Sequence, residues 1–348
     1  MTVVNTLSIQ SIRSHDIFTV SFSPQVTVIT GPNGSGKTSL LEAIYIALQG
    51  TSFRGTDTDV LGVDKPWWKI DINFVDEKKR TVKFDPSRTT GRKQFVIDSK
   101  THYRLPAKYK YPIVLFDPDD LRLLNGSPAR RRQFIDRFVS QLNPIYQTTL
   151  RKYERALKQR NNLLKKPTIS KDELFAWDVA IAEYGSYIIE QRIIFIEQIN
   201  NSLNDAYNAI AKSTDTVSVH YSHTVIGDSK QKLLNELSTN HEKDRYLGNT
   251  SVGPHRHDVI FKFNNLSALS TSSRGEVRTI VLALKFLEVE IIEKVTGLKP
   301  IILLDDVFSE LDLTRQESLS NTIRSHQIVI TSTHVLSDNP QFQHVELL

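Results

Sequence analysis

Residues Gly31–Thr38, "GPNGSGKT", place the side-chain types that hold a polyphosphate at the spacing G-x-x-x-x-G-K-[ST]. Glycines let successive backbone N–H groups converge on an anion, and a helix starting at the lysine adds the positive end of its dipole. Gly31, Pro32, Asn33, Gly34, Ser35 and Gly36 would form the cradle. Lys37 would reach the β- and γ-phosphates of ATP, and Thr38 would ligate Mg²⁺. Such a loop needs a metal-holding acid at the end of another core strand. "IILLDDV" supplies one: four apolar residues read as a fully buried parallel strand that ends in Asp305 and Asp306. Asp305 is expected to hold the metal through water. Asp306 is then placed to orient or deprotonate the attacking water.

Three further groups belong to the same chemistry. "SELD", ending at Asp312, follows Asp306 closely, where a dimer seam loop is expected. His334, in "TSTH" after the next strand, fits a γ-phosphate sensor and equally a surface histidine. Arg13, in "SIRSH" after the first strand, fits a contact to the α- or β-phosphate and also a plain surface arginine. A phosphate loop with an Asp-Asp strand could belong to several nucleoside-triphosphatase classes, and the stretch "TSSRGEVRTIVLALKFLEVEII" narrows them. Ile280, Leu284, Leu287 and Ile291 recur as one buried helical stripe, yet the helix opens on a small polar entry. A helix beginning at Ser-x-Gly-Glu offers a hydroxyl, free N–H groups and a positive dipole end. Ser273, Arg274 and Gly275 are therefore expected to touch the γ-phosphate held by a second copy of the chain, as in ABC-type ATPases. The ordinary alternative is an N-capped core helix.

The elements that position these groups are legible in outline. Residues 1–112 read mainly as strands around one helix, "KTSLLEAIYIAL", with Leu41, Ile44, Tyr45 and Leu48 on one side. From Ser127 to about Ala211 the chain is helical and poor in glycine. Ser127-Pro128 and Asn143-Pro144 are N-cap and first-turn pairs, and "KPTISKDEL" breaks the helices, so two long helices should pack antiparallel. Strands resume at "TVSVHYSH" and "DVIFKF", and a helix is expected near 313–325. The expected architecture is α/β: an ABC-type P-loop ATPase head from residues 1–112 and 213–348, with an antiparallel helical arm, 113–212, inserted.

Composition sets the outer bounds. The chain has 348 residues, 24% charged and 39% hydrophobic, no cysteine, and a net charge of +5. Thiolate metal sites and disulfides are excluded. No apolar run approaches the ~18 residues of a membrane span, and the N-terminus lacks a signal-peptide layout, so a cytoplasmic protein without a membrane partner is expected. The positive charge is uneven. Arg130, Arg131, Arg132 and Arg137 cluster on one arm helix, and Arg151, Lys152, Arg155, Lys158, Arg160, Lys165 and Lys166 follow on the next. A charge run is ordinarily a solvated face, but this density suits phosphate contacts to DNA without sequence reading.

The chain resembles the RecF family of DNA replication and repair proteins along nearly its whole length. "PDDLRLLNGSPARRRQFID", Pro118–Asp136, and "LLDDVFSELDLTRQESL", Leu303–Leu319, look like that family's two signatures. "TSVGPHRHD" and "YERALKQRNNLLK" are also similar. "GPNGSGKTS" replaces the Asn-Ala-Gln-Gly-Lys-Thr-Asn form common there, and His257 stands where an acid is usual. The resemblance implies an ATP-dependent homodimer, slow ATP hydrolysis, binding to duplex or gapped DNA, and action with RecO and RecR in loading RecA. The rival readings are an ABC-type subunit of another DNA-maintenance or transport complex, and a truncated SMC-like structural ATPase. The second would need heptads sustained well beyond 127–211.

Overall fold

In the computed structural model the described residues are 3–168, 170–223, 228–307, 325–333 and 342–347. Asp312, His334 and the helix expected near 313–325 lie outside them. In chain order come β1 (Val4–Ile12), β2 (His15–Ser21), β3 (Val26–Thr30), α1 (Lys37–Gln49) and α2 (Asp57–Val60). Next are β4 (Trp68–Phe74), β5 (Lys79–Phe84), β6 (Lys93–Ile97), β7 (Lys100–His102) and β8 (Ile113–Phe116). The helices α3 (Pro128–Leu142), α4 (Pro144–Leu164) and α5 (Lys171–Ala211) follow. Then come β9 (Val217–Tyr221), α6 (Ser229–Thr239), α7 (His241–Leu247), β10 (Val259–Phe263), β11 (Leu266–Ser267) and α8 (Ala268–Thr271). The last are α9 (Arg274–Thr296), β12 (Ile301–Asp305), β13 (Ile328–Ser332) and β14 (Phe342–Glu346).

The chain forms two compact units, Met1–Asp120 with Glu288–Leu348, and Leu121–Leu287. The first holds a parallel sheet ordered β14-β3-β13-β12-β8 and an antiparallel sheet ordered β2-β1-β4-β5-β6-β7. Its core joins residues of both sheets through α1. All of α1 except Thr38 is buried, so the one-sided stripe read from its sequence is in fact a helix enclosed on every side. Gly36 in the left-handed region sets its start, and Gly50, also left-handed, stops it by returning its N–H to the Ile46 carbonyl at 2.9 Å.

The second unit is built on α4 and α5. Asn143, at the start of α4, donates to Tyr187 and Gln191, whereas Arg160, near its end, donates to Asp178. These pairs run in opposite directions along the two helices, the antiparallel packing expected. Both N-caps form: Ser127 Oγ accepts from Arg130 N, and Asn143 Oδ1 accepts from Ile145 N and Tyr146 N. A three-stranded sheet, β11-β10-β9, belongs to this unit. Asn200 of α5 exchanges two hydrogen bonds with the Val219 backbone of β9, and Tyr207 stacks edge-on against Phe263. Residues 213–287 consequently group with the helices, where a boundary at 212 was expected. The second boundary falls inside α9, between Leu287 and Glu288.

Candidate functional site

In the parallel sheet, β13 lies between β3 and β12, with Thr331 paired to Ile29 on one side and Asp305 on the other. The phosphate loop leaves β3 at the same edge at which β12 ends. Thr38 Oγ1 therefore donates to Asp305 Oδ1 at 2.8 Å, and Thr331 Oγ1 donates to the same oxygen at 2.9 Å. Burial pushes the Asp305 carboxyl above its ordinary pKa, opposed by the Thr38 and Thr331 hydrogen bonds and by the charge of Arg54. A buried carboxylate with two hydroxyls around it is a set of hard oxygen donors suited to a divalent cation.

The loop itself has the form of an anion cradle. Gly31, Gly34 and Gly36 have φ of 157°, 87° and 90°. A Cβ on Gly36 would lie 2.1 Å from His15 Nε2, and one on Gly31 would lie 2.6 Å from the Leu347 carbonyl oxygen, so only glycine fits at either place. Lys37 Nζ donates to the Gly31 and Pro32 carbonyls at 2.8 and 2.9 Å. The Ser35 hydroxyl, inside the loop, is buried without a hydrogen-bond partner among the described residues. Asn33 is exposed.

Asp306 follows Asp305 in the left-handed region, φ 53°, where a non-glycine residue is strained. Its N–H is held by Thr331 through Oγ1 at 3.0 Å and the carbonyl at 3.2 Å. Arg13 is engaged elsewhere: Nε and Nη2 donate to Glu42 Oε2 and Oε1, both at 3.0 Å, and the Glu42 side chain is fully buried. Thr331, Arg54, His15 and Glu42 were not singled out from the sequence. Each acts through a partner far along the chain, and no local pattern marks such a pairing.

Ser273, Arg274 and Gly275 belong to the second unit, at the start of α9. Ser273 and Arg274 are exposed. The entry is a reciprocal cap: Ser273 N donates to Glu276 Oε2 at 2.6 Å and Glu276 N to Ser273 Oγ at 3.3 Å. The polar opening thus has a local use, and a phosphate docking there would take the place of the Glu276 carboxylate.

The basic residues divide sharply. Arg131 is buried, with Nε and Nη2 on the two oxygens of Asp258 at 2.9 and 2.8 Å and Nη1 on the Leu124 and Gly126 carbonyls. Its guanidinium is taken up as a structural tie, where a contact to DNA was expected. Arg132 donates to the His257 carbonyl, and Arg160 is wholly enclosed between Asp178 and Asp244. Arg130 is half-buried. Arg151, Lys152, Arg155 and Lys158 are exposed along α4, with Lys152 over the Tyr184 ring at 5.7 Å. Near them Arg192 joins Asp136, Tyr146, Tyr221 and the Pro254 carbonyl, and His257 donates to or accepts from Tyr221. Burial, then the charges of His223 and Arg192, lowers His257 to about 3, and burial lowers His255 to about 4. The residue standing in the family's acid position is therefore a neutral imidazole. Among the described residues no helix is long and apolar enough to cross a membrane.

With this geometry in hand, comparison with known proteins is specific. The family model described as an AAA domain matches residues 6–243. The "DNA replication and repair protein RecF" of Streptococcus pyogenes serotype M5 (strain Manfredo) is 35% identical over 353 residues, covering 98% of this chain and 95% of that protein. The protein of the same name from serotype M49 (strain NZ131) is 35% identical over 349 residues, covering 97% and 94%. Among solved structures, the recombination mediator protein RecF–ATPrS of the RecFOR pathway superposes with a TM-score of 0.87 at 28% identity, covering 100% of this chain and 96% of that one. An Smc head bound to the C-winged helix domain of ScpA, at 16% identity, TM-score 0.52, and 95% and 90% coverage, shares the fold.

Proposed function

This chain belongs to the RecF family of DNA replication and repair proteins, and from that premise we propose that it is an ATP-switched DNA-binding protein of recombinational repair. Gly31–Thr38 would bind ATP, with Lys37 leaving the Gly31 and Pro32 carbonyls for the phosphates and the Ser35 hydroxyl finding its partner there. Thr38 and Asp305 would hold Mg²⁺, which supplies charge neutralisation on the phosphates when bound. Asp306, fixed by Thr331, would orient the water for a slow hydrolysis, and Ser273, Arg274 and Gly275 would complete the site of a second copy. ATP would thereby drive homodimerisation. The exposed cations of α4 would lie against duplex or gapped DNA, with RecO and RecR as partners and RecA loading as the outcome. Asp312, His334 and Arg13 stay as candidates for the seam, the sensor and a phosphate contact. Arg13 would first have to give up Glu42.

The observation that supports this reading is the 2.8 Å hydrogen bond from Thr38 to Asp305, which brings together oxygen donors 267 positions apart. Sedimentation velocity with and without ATP and Mg²⁺ tests it. Lys37→Ala should abolish ATP binding. Asp306→Ala should bind ATP and accumulate as a dimer; a variant that stays monomeric with saturating ATP would refute the switch.

A further inference from the structure

We propose that the end of the arm where α7 meets the C-terminus of α4 is a separate DNA contact, in which Tyr246 stacks on an unpaired base where a duplex gives way to single strand. This rests on the DNA-binding reading above and adds a site and a ligand feature to it.

Arg151, Arg155, Lys158, Asn162 and Lys165 follow at spacings of four, three, four and three, which places them on one stripe of α4 and its C-cap residue, and all five are exposed. Glu154, flanking Arg151, offsets part of that charge. From Arg151 to Lys165 the stripe rises about 21 Å, room for roughly six base-pair steps. Its last cation borders α7: a Cβ on Gly248 would lie 3.5 Å from Lys165 Cγ.

At that border stands Tyr246, 93% exposed, with Leu247 beside it 47% exposed. Its backbone is not loose. Asp244 is wholly buried, accepting from Arg160 Nη1 at 2.7 Å and from Ser251 N at 2.9 Å. Arg245 Nη2 donates to the Pro167 carbonyl at 3.1 Å, and Gly248 in the left-handed region closes the helix onto the Arg245 carbonyl. The ring is thus presented to solvent by a segment pinned on both sides, so binding a flat partner costs little ordering entropy. Lys166, Lys243 and Arg245 are exposed around it, against Glu242 of the same helix. A rigid aromatic face at the end of a cationic track matches a π-faced ligand carrying phosphates, which is a nucleotide base outside the stack. Protein docking would call for a larger contiguous apolar patch than Tyr246 and Leu247 provide.

The test uses the full chain with ATP and Mg²⁺, a closed DNA dumbbell, and the same duplex carrying a short overhang with 2-aminopurine as its first unpaired base. Binding is followed by anisotropy and stacking by base fluorescence. Tyr246→Ala should weaken binding to the overhang substrate about tenfold, the scale of one lost base–aromatic stack, and abolish the fluorescence quench. Tyr246→Phe should retain both. A loss equal on dumbbell and overhang, or no loss on either, overturns the proposal; the second result is the one expected if Tyr246 serves a protein partner. Failure of the unaltered protein to bind the dumbbell at all would instead sink the DNA-binding reading beneath it.

Discussion

Arg160 is wholly buried, with Nε 2.5 Å from Asp178 and Nη1 2.7 Å from Asp244, whereas Arg155, five positions earlier, is exposed. Burial raises the pKa of Asp178, and the hydrogen bond and charge of Arg160 oppose that rise. Arg160→Met should therefore destabilise the helical unit by about 3–5 kcal/mol, the cost of leaving buried charge unpaired. Arg155→Ala should leave the urea midpoint unchanged and weaken DNA binding. Midpoints that fall equally in both would contradict the division. The sequence, which lists both arginines in one basic run, cannot separate them. Neighbouring helical residues turn by about 100°, so Arg130, Arg131 and Arg132 cannot share a face. Which of them points inward is decided by Asp258 and the His257 carbonyl, more than a hundred positions away. The phosphate loop was legible because its chemistry is local. The second hydroxyl on Asp305, from Thr331, was not, since it depends on strand order. Protonation adds a further prediction. His255 and His257 are held neutral, at about 4 and about 3, below the unfolded value near 6.5. Acid then favours the unfolded chain, which binds the proton first. Stability should be fully present above about pH 6.5 and decline from there toward pH 4. Urea midpoints across that range should follow this course, and His257→Phe should flatten it.

Among the elements, α3 and α4 announced themselves by their N-cap and proline pairs and α5 by a long run poor in glycine, while α6 and α7 between two strands were passed over. Leu233 and Leu237, buried four apart after the Asp228 cap, were the available signal for α6. The close approach of α5 and α6 depends on a residue whose role the sequence does not reveal. Gly185 lies inside α5, where glycine costs roughly 1 kcal/mol relative to alanine. A Cβ there would meet Leu233 Cδ2 at 2.7 Å, the Tyr153 ring at 3.2 Å and Pro254 Cδ at 3.4 Å. The glycine is thus the concession that lets α4, α5, α6 and the 253–258 loop converge. Gly185→Val should destabilise the unit by about 1–3 kcal/mol through overpacking, despite removing a helix-weakening glycine. A rise in melting temperature would show that the neighbours move aside at no cost.

At the scale of the whole molecule, ATP and DNA are expected to act through two surfaces, the start of α9 and the exposed stripe of α4, carried by a unit separate from the one that holds the phosphate loop. The resemblance to RecF is the source of that expectation, whereas the boundary at Leu287 follows from the strands β9–β11 joining the helices. On the proposed reading a second copy would bring its bound phosphate to the α9 start, where Glu276 now caps Ser273. A bulky cation at Ser273 would fill that approach and leave the residues of the phosphate loop and Asp305 unaltered. Ser273→Arg should accordingly bind ATP as a monomer and fail to sediment as a dimer. DNA affinity supplies the second reading of the same assembly. If about four phosphates are neutralised per arm, affinity should fall about a hundredfold per arm between 50 and 200 mM salt, and more steeply when ATP brings two arms together. In Ser273→Arg the salt slope should stay at its one-arm value whether or not ATP is present. An ATP-steepened slope in that variant would mean that the arms are paired by some surface other than the start of α9.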